Sequence, residues 1–361
     1  MSPERPDSLV IRVRWQPVRG GPGYRLTLRS LRMTGQAAGV RTHGAAGESP
    51  SAGGATPRWV SPHVHRGVAT WRRSAHRRRV RMRQVTASRA SGRGPWRFGY
   101  GTHPSQFGEL TLPADETPVR GVAVVVHGGF WRQAYGLELG RPLAADLARA
   151  GLAAWNVEYR RVPPDGAART PSTIGDADGW TATFDDVAAA LDLLAGPVQD
   201  AAGGRLPLDE VVAVGHSAGG HLATWLAARP GLPDGAPGAA PAVLLRGAVS
   251  QAGVLDLVDA AERGVGNGAV ERLLGGTPSA VPDRYALASP VARLPIGVPV
   301  VCVHGTSDTH VPIRQSERFV EAAGNAAELI TLPGVDHMAM IDLSSDAWRA
   351  SRDAVERLLP Q

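Results

Sequence analysis

The stretch Val211-Val212-Ala213-Val214-Gly215-His216-Ser217-Ala218-Gly219-Gly220-His221-Leu222 decides the fold. Its first four residues are an apolar, Val-rich run of the kind buried on both faces of a parallel sheet. Ala218 to Ala228 reads as a helix whose inward face carries Leu222, Trp225 and Leu226. Between them Gly215, Ser217 and Gly219 satisfy G-x-S-x-G. A sharp strand-to-helix turn forces its middle residue into strained backbone angles and brings neighbouring chain close, so both flanking positions need a residue without Cβ. The exposed hydroxyl then stands at the positive end of a helix dipole, where an anionic intermediate is stabilised. Among 44 glycines the five letters alone carry little weight. The strand before and the helix after them separate a nucleophile from an ordinary Gly-rich turn.

Outward from this turn the chain alternates apolar runs with amphipathic stretches. Strands are expected at 107–112, 121–126, 152–159, 210–214, 243–249, 298–303 and 328–332, and helices near 142–150, 184–194, 218–228, 312–323 and 346–359. That order fits one doubly wound, mostly parallel α/β domain over 98–361. Residues 251–296 break the rhythm with short helical pieces at 255–262 and 269–274. They are a candidate small lid over the carboxyl edge of the sheet, set against a plain surface excursion.

Three further segments complete a reactive constellation. His127-Gly128-Gly129-Phe130-Trp131 ends the 121–126 strand. A carbonyl under attack develops negative charge on oxygen, and two preorganised backbone N–H groups stabilise it. The candidate donors are Gly129 or Phe130, with Ala218 after the nucleophile. A serine hydroxyl needs an imidazole to accept its proton and an acid to hold that imidazole in the right tautomer. His337 lies in the loop after the 328–332 strand, and Asp308 follows the 298–303 strand in His304-Gly305-Thr306-Ser307-Asp308-Thr309-His310-Val311-Pro312. Ser217, Asp308 and His337 thus come in the chain order serine, acid, histidine. Asp336 and Asp256 compete for the acid, and His304, His310 and His221 are candidate structural histidines. Trp131 and Trp180 are candidate substrate-lining residues, with core packing as the plainer role for each. Cys302 reads as a buried strand thiol.

At these residues the chain resembles the α/β-hydrolase superfamily from about Phe98 onward. His127-Gly128-Gly129-Phe130-Trp131 with Gly215-His216-Ser217-Ala218-Gly219-Gly220-His221-Leu222 is similar to the carboxylesterase and kynurenine formamidase (arylformamidase) group. Gly305-Thr306-Ser307-Asp308-Thr309-His310-Val311-Pro312 resembles the acid-bearing G-x-x-D-x-x-V-P of prolyl-oligopeptidase-like bacterial hydrolases. The resemblance implies an eight-stranded, mostly parallel sheet flanked by helices, no cofactor and no metal. It implies a serine hydrolase of small-molecule esters or aryl amides and formamides. The alternatives are a peptidase of short peptides and a non-catalytic ligand-binding homologue on the same fold.

Composition bounds the rest. The 361 residues carry a formal net charge of +6, and every one of the 39 basic residues is arginine. The halves differ: residues 1–97 hold 20 arginines against 3 acids, a balance of +17, and residues 98–361 hold 19 against 30, a balance of −11. The first 97 residues lack a sustained period and read as a largely disordered, Arg-rich extension. Their composition is that of an upstream frame of a GC-rich genome translated ahead of an initiator near Met82. Nucleic-acid binding through Arg72 to Arg83 is the weaker reading. His63 and His65 have no partnering acid or cysteine for a metal site. No apolar run approaches a membrane span or a secretory core, so no membrane partner is expected. A single cysteine excludes an internal disulfide, and a reducing cytoplasm is the expected compartment.

Overall fold

The Val-rich run predicted at 121–126 is a strand, Val122–Val126, no residue of which is more than 2% exposed. Alternation along it explains why: Val122, Val124 and Val126 join one hydrophobic cluster, whereas Ala123 and Val125 join another on the opposite face. In the computed structural model the described residues are 9–17, 24–32, 87–89, 95–114, 117–163 and 180–360. All of them belong to one compact unit.

The strands are β1 (Leu9–Pro17), β2 (Tyr24–Arg32), β3 (Ala87–Arg89), β4 (Trp96–Gly99), β5 (Phe107–Thr111), β6 (Val122–Val126), β7 (Ala153–Val157), β8 (Val211–His216), β9 (Gly247–Gln251), β10 (Val300–Gly305) and β11 (Ala327–Leu332). The helices are α1 (Arg141–Arg149), α2 (Ala182–Asp192), α3 (Pro197–Ala201), α4 (Ala218–Ala228), α5 (Leu257–Glu262), α6 (Ala269–Leu274), α7 (Pro282–Ala288), α8 (Arg314–Ala323) and α9 (Asp346–Leu358). From Trp96 onward eight strands run β11-β10-β9-β8-β6-β7-β5-β4 across the sheet. Pairing is parallel from β11 through β7 and antiparallel at β5 and β4. The hairpin β1–β2 adds antiparallel to β11, and β3 adds to β4.

Two layers of helix cover the sheet. Leu143 and Leu147 of α1 share a cluster with Trp348 and Val355 of α9. Phe184 and Leu191 of α2, Leu222 and Trp225 of α4 and Phe319 of α8 pack in the other. Strand order reverses between β6 and β8, so the loops after these two neighbours leave the carboxyl edge in opposite directions, the position at which open α/β sheets bind ligands. Among the described residues no helix is long and apolar enough to cross a membrane.

Four details depart from the sequence pattern. Within residues 1–97, read from the sequence as a largely disordered extension, the described residues form the hairpin β1–β2 and the strand β3. The strand expected at 243–249 forms at Gly247–Gln251, because β8 and β10 set its register through Val212↔Gly247 and Val300↔Ala248. A third short helix, α7, joins α5 and α6 within 251–296, with Pro282 in its first turn. Strand β4 spans residues 97 and 98, burying Phe98 against Trp155 at a ring separation of 6.0 Å. Met82, His63, His65, the Arg72 to Arg83 cluster and residues 164–179 lie outside the described residues.

Candidate active site

Ser217 sits between β8 and α4 with φ +57° and ψ −119°, the strained turn that its two glycines predict. A Cβ at Gly215 would lie 2.1 Å from the Gly219 carbonyl oxygen, and one at Gly219 would lie 2.0 Å from the Val126 oxygen. Both obstacles are backbone, so neither yields to a side-chain rotation. Gly219→Ala is therefore expected to lower unfolding free energy by roughly 3 kcal/mol. Gly231→Ala, where the nearest atom is an arginine nitrogen 4.0 Å away, should stay within about 0.5 kcal/mol of the parent. Urea titration compares the two, and equal losses would remove the steric account. Ala218 opens α4, at a position whose N–H has no acceptor within the helix.

The loop after β6 lies directly against this turn: a Cβ at Gly128 would meet the His216 oxygen at 2.7 Å and Ser217 Cβ at 3.1 Å. Gly129, Phe130 and Trp131 follow with φ of 112°, 51° and 55°. Three consecutive positive φ values, two at residues bearing Cβ, mark stored strain. The Arg132 N–H closes the turn on the Gly129 oxygen at 2.9 Å. Arg132 also reaches the Gly266 carbonyl, and Phe130 lies against Gly266, so the 251–296 excursion packs on this loop.

Asp308 and His337 are brought together from the ends of β10 and β11, with Asp308 Oδ2 and His337 Nδ1 2.6 Å apart. The other carboxylate oxygen accepts the N–H groups of His310 and Val311, both at 2.9 Å. Burial alone would raise the Asp308 carboxyl. Hydrogen bonds with His304 and His337, and the adjoining imidazole charge, outweigh burial and hold it well below the usual carboxylate range. The His337 ring lies between two others, His216 at 4.4 Å and His310 at 5.0 Å. His216, next to Ser217 in the chain, places Nε2 2.9 Å from the His337 carbonyl oxygen and so ties the two loops. Burial pushes His216 down to about 3, so this ring stays neutral.

The competing residues have other work. Asp336 Oδ1 accepts the N–H groups of Met338 and Ala339. Asp256 caps α5 and pairs with Arg318. His304 bridges Ser316 and the Val311 carbonyl, and His221 spans the Trp131 indole and the Ala288 carbonyl. Cys302 is buried and its thiol is pushed up to about 12. Trp131 has no exposed surface and donates its indole N–H to His221 at 3.2 Å. Trp180 is half-buried against Phe184, beneath the Arg284 guanidinium. Sequence reasoning missed Glu158, buried beneath the β6 loop and within 3.0 Å of His127 Nε2. The one local signal was an acid at the end of an apolar strand.

Residues 109–323 match the BD-FAE family over more than half of the chain. The chain belongs to the BD-FAE family. The matched span holds Ser217 and Asp308 and ends before His337. BD-FAE is an α/β-hydrolase family, in keeping with the motifs and the sheet order. This BD-FAE chain is 26% identical over 274 residues to a probable isoprenylcysteine alpha-carbonyl methylesterase, ICMEL1, of Oryza sativa subsp. japonica. The match covers 70% of this chain and 59% of the rice protein, so the chain spans about three-fifths of that relative's length. Among solved structures, a truncated carbohydrate esterase from gut microbiota superposes with TM-score 0.57 at 20% identity, covering 74% of this chain and 98% of that one. Esterase 2 of Thermogutta terrifontis, in a form phosphoramylated by tabun, superposes with TM-score 0.56 at 23% identity, covering 74% and 97%. At such identities these structures bear on the fold alone.

Proposed function

We propose that the protein hydrolyses small carboxylic esters through Ser217, Asp308 and His337 by way of an acyl-enzyme. The observation that carries this reading is the 2.6 Å Asp308–His337 contact at the same sheet edge as the strained Ser217 turn. Ser217 Oγ attacks the carbonyl carbon while His337 Nε2 takes its proton. Asp308 accepts from Nδ1–H, fixing the tautomer and stabilising the imidazolium. The N–H of Ala218 and that of Gly129 or Phe130 hold the oxyanion. Collapse of the tetrahedral intermediate breaks the ester C–O bond, and the alcohol leaves with the proton from His337. Water, deprotonated by His337, then attacks the acyl-enzyme and releases the acid. Trp131, wholly buried, anchors the donor loop through its indole bond to His221, and Trp180 flanks the site through Phe184 and His221.

The test is covalent. A fluorophosphonate probe should label the peptide containing Ser217, read by mass spectrometry, and Ser217→Ala should abolish labelling. Labelling that survives the substitution would overturn the assignment. A hydrolysis panel of short and long p-nitrophenyl esters, an aryl formamide and an aminoacyl amide then fixes the class. The expected order places short esters first. A formamide preferred over every ester would move the protein to the arylformamidase type, and a preferred aminoacyl amide to a peptidase.

A further inference from the structure

The loop that would supply the Gly129 or Phe130 donor begins at His127 and ends at Leu137, where a short turn leads into α1. Its middle holds three successive positive-φ residues. A non-glycine residue in that region persists only where the surroundings over-determine it. One side chain touches both ends. Glu158 Oε1 lies 3.0 Å from His127 Nε2, and Glu158 Oε2 accepts the Leu137 N–H at 3.0 Å. Oε1 also takes the Tyr159 N–H at 2.9 Å and pairs with the Arg161 guanidinium. The Glu158 and Arg161 side chains are each 7% exposed and the His127 ring 0%. Charge on this carboxylate is therefore compensated inside the protein and not by water.

The neighbouring tyrosine reinforces the hold. Tyr159 Oη donates to the His127 carbonyl at 2.8 Å, and its ring stacks on the His127 ring at 4.4 Å. Steric fit leaves the loop little room: a Cβ on Gly129 would lie 2.4 Å from Tyr135 Cβ, and one on Gly136 would lie 2.7 Å from Glu158 Oε2.

We infer that Glu158, with Tyr159, is a positioning residue that clasps both ends of the 127–137 loop and thereby aims its N–H donor at the developing oxyanion. The inference rests on the esterase reading above. It assigns to a buried carboxylate that is no member of the triad a share of transition-state stabilisation. Without the clasp the loop relaxes toward ordinary backbone angles, and the donor moves off the position that only the tetrahedral oxygen occupies.

The experiment compares wild type, Glu158→Gln, Tyr159→Phe and Asp192→Asn on p-nitrophenyl acetate, each confirmed folded at the assay temperature. Asp192→Asn is the control: it weakens another ion pair, between the partly exposed Asp192 and the buried Arg229, that touches neither the loop nor the triad. Glu158→Gln is expected to lower kcat by about 10²-fold, the scale of one lost oxyanion donor, with KM changed less than about threefold. Tyr159→Phe should lower kcat by roughly 10-fold in the same pattern. Inhibition by a trifluoromethyl ketone, whose adduct carries the oxyanion, should weaken in proportion to kcat/KM across the series. Asp192→Asn should keep wild-type kcat and inhibition. If Glu158→Gln does not fold, Tyr159→Phe, which removes one oxygen, carries the test. An active wild type with kcat unchanged in Tyr159→Phe and Glu158→Gln overturns the clasp alone. An equal kcat loss in Asp192→Asn overturns it as well, because the effect would then be general destabilisation. A folded wild type that turns over no ester removes the esterase reading itself.

Discussion

Ser217→Ala is expected to lower kcat for a short ester by roughly 10⁶-fold, and Asp308→Asn by roughly 10⁴-fold, with KM little changed in either. The two losses have different origins. Alanine removes the atom proposed to form the covalent bond, leaving only binding and the proposed oxyanion donors. Asparagine keeps an oxygen for the N–H groups of His310 and Val311 but offers the His337 ring an amide. An amide N–H facing Nδ1 selects the tautomer with its proton on Nε2, which cannot accept the Ser217 proton. Asp308→Asn should therefore fold like the parent yet label with fluorophosphonate far more slowly, and steady-state kinetics with active-site titration measure both. A loss under about 10-fold for Asp308→Asn would mean that another group orients the imidazole.

The second large effect is on stability against acid. Burial holds His216 down to about 3 and His221 to about 4. In the unfolded chain each titrates at about 6.5. Below that value the unfolded state binds two protons that the folded state refuses, so stability is fully present above it and is lost as pH falls. From pH 7 to pH 5 each ring contributes about 2 kcal/mol of lost stability, together about 4 kcal/mol. That is a large part of the about 5–15 kcal/mol typical of a folded domain. Asp308 acts in the same direction, but only at the lower pH where free carboxylates protonate. Urea midpoints at pH 7 and pH 5 measure the fall. A variant such as His221→Gln should reduce the pH dependence by about half, and equal midpoints at both pH values would show that these rings are not the source.

Much of this architecture is legible in the residues themselves where the governing physics is local. Gly215 and Gly219 are readable because the collision they avoid is with chain a few residues away or with the adjoining strand end. The run Val122–Val126 is readable because burial on both faces leaves no polar position in it. Asp308 and His337 are readable from their places after successive strands. Glu158 was not, since its partners His127 and Leu137 are 31 and 21 residues distant and meet it only once β6 and β7 pair. Strand β9 lies further along the chain than its apolar run suggests for a related reason. The polar pair Ser250-Gln251 is buried by its neighbours in the sheet, which no periodicity within the segment reveals. Trp131 reads equally as a lining or a core residue until the His221 ring is seen to accept its indole N–H.

The adjacency of β6 and β8 has a consequence for how substrate choice can change. Val126 pairs directly with Gly215, so the two backbone donors proposed for the oxyanion follow strands locked at the fixed spacing of a hydrogen-bond ladder, roughly 4.8 Å. That ladder is a ruler, and it does not lengthen for a bulkier substrate. Under the proposed esterase reading, variation in what is accepted falls on segments outside that ladder; among the described residues these include α5 to α7, whose α5–α6 turn meets the loop where Gly266 lies against Phe130. Exchanging that segment between relatives should alter selectivity while leaving the chemical step unretuned, a division of labour that makes this scaffold easy to diversify.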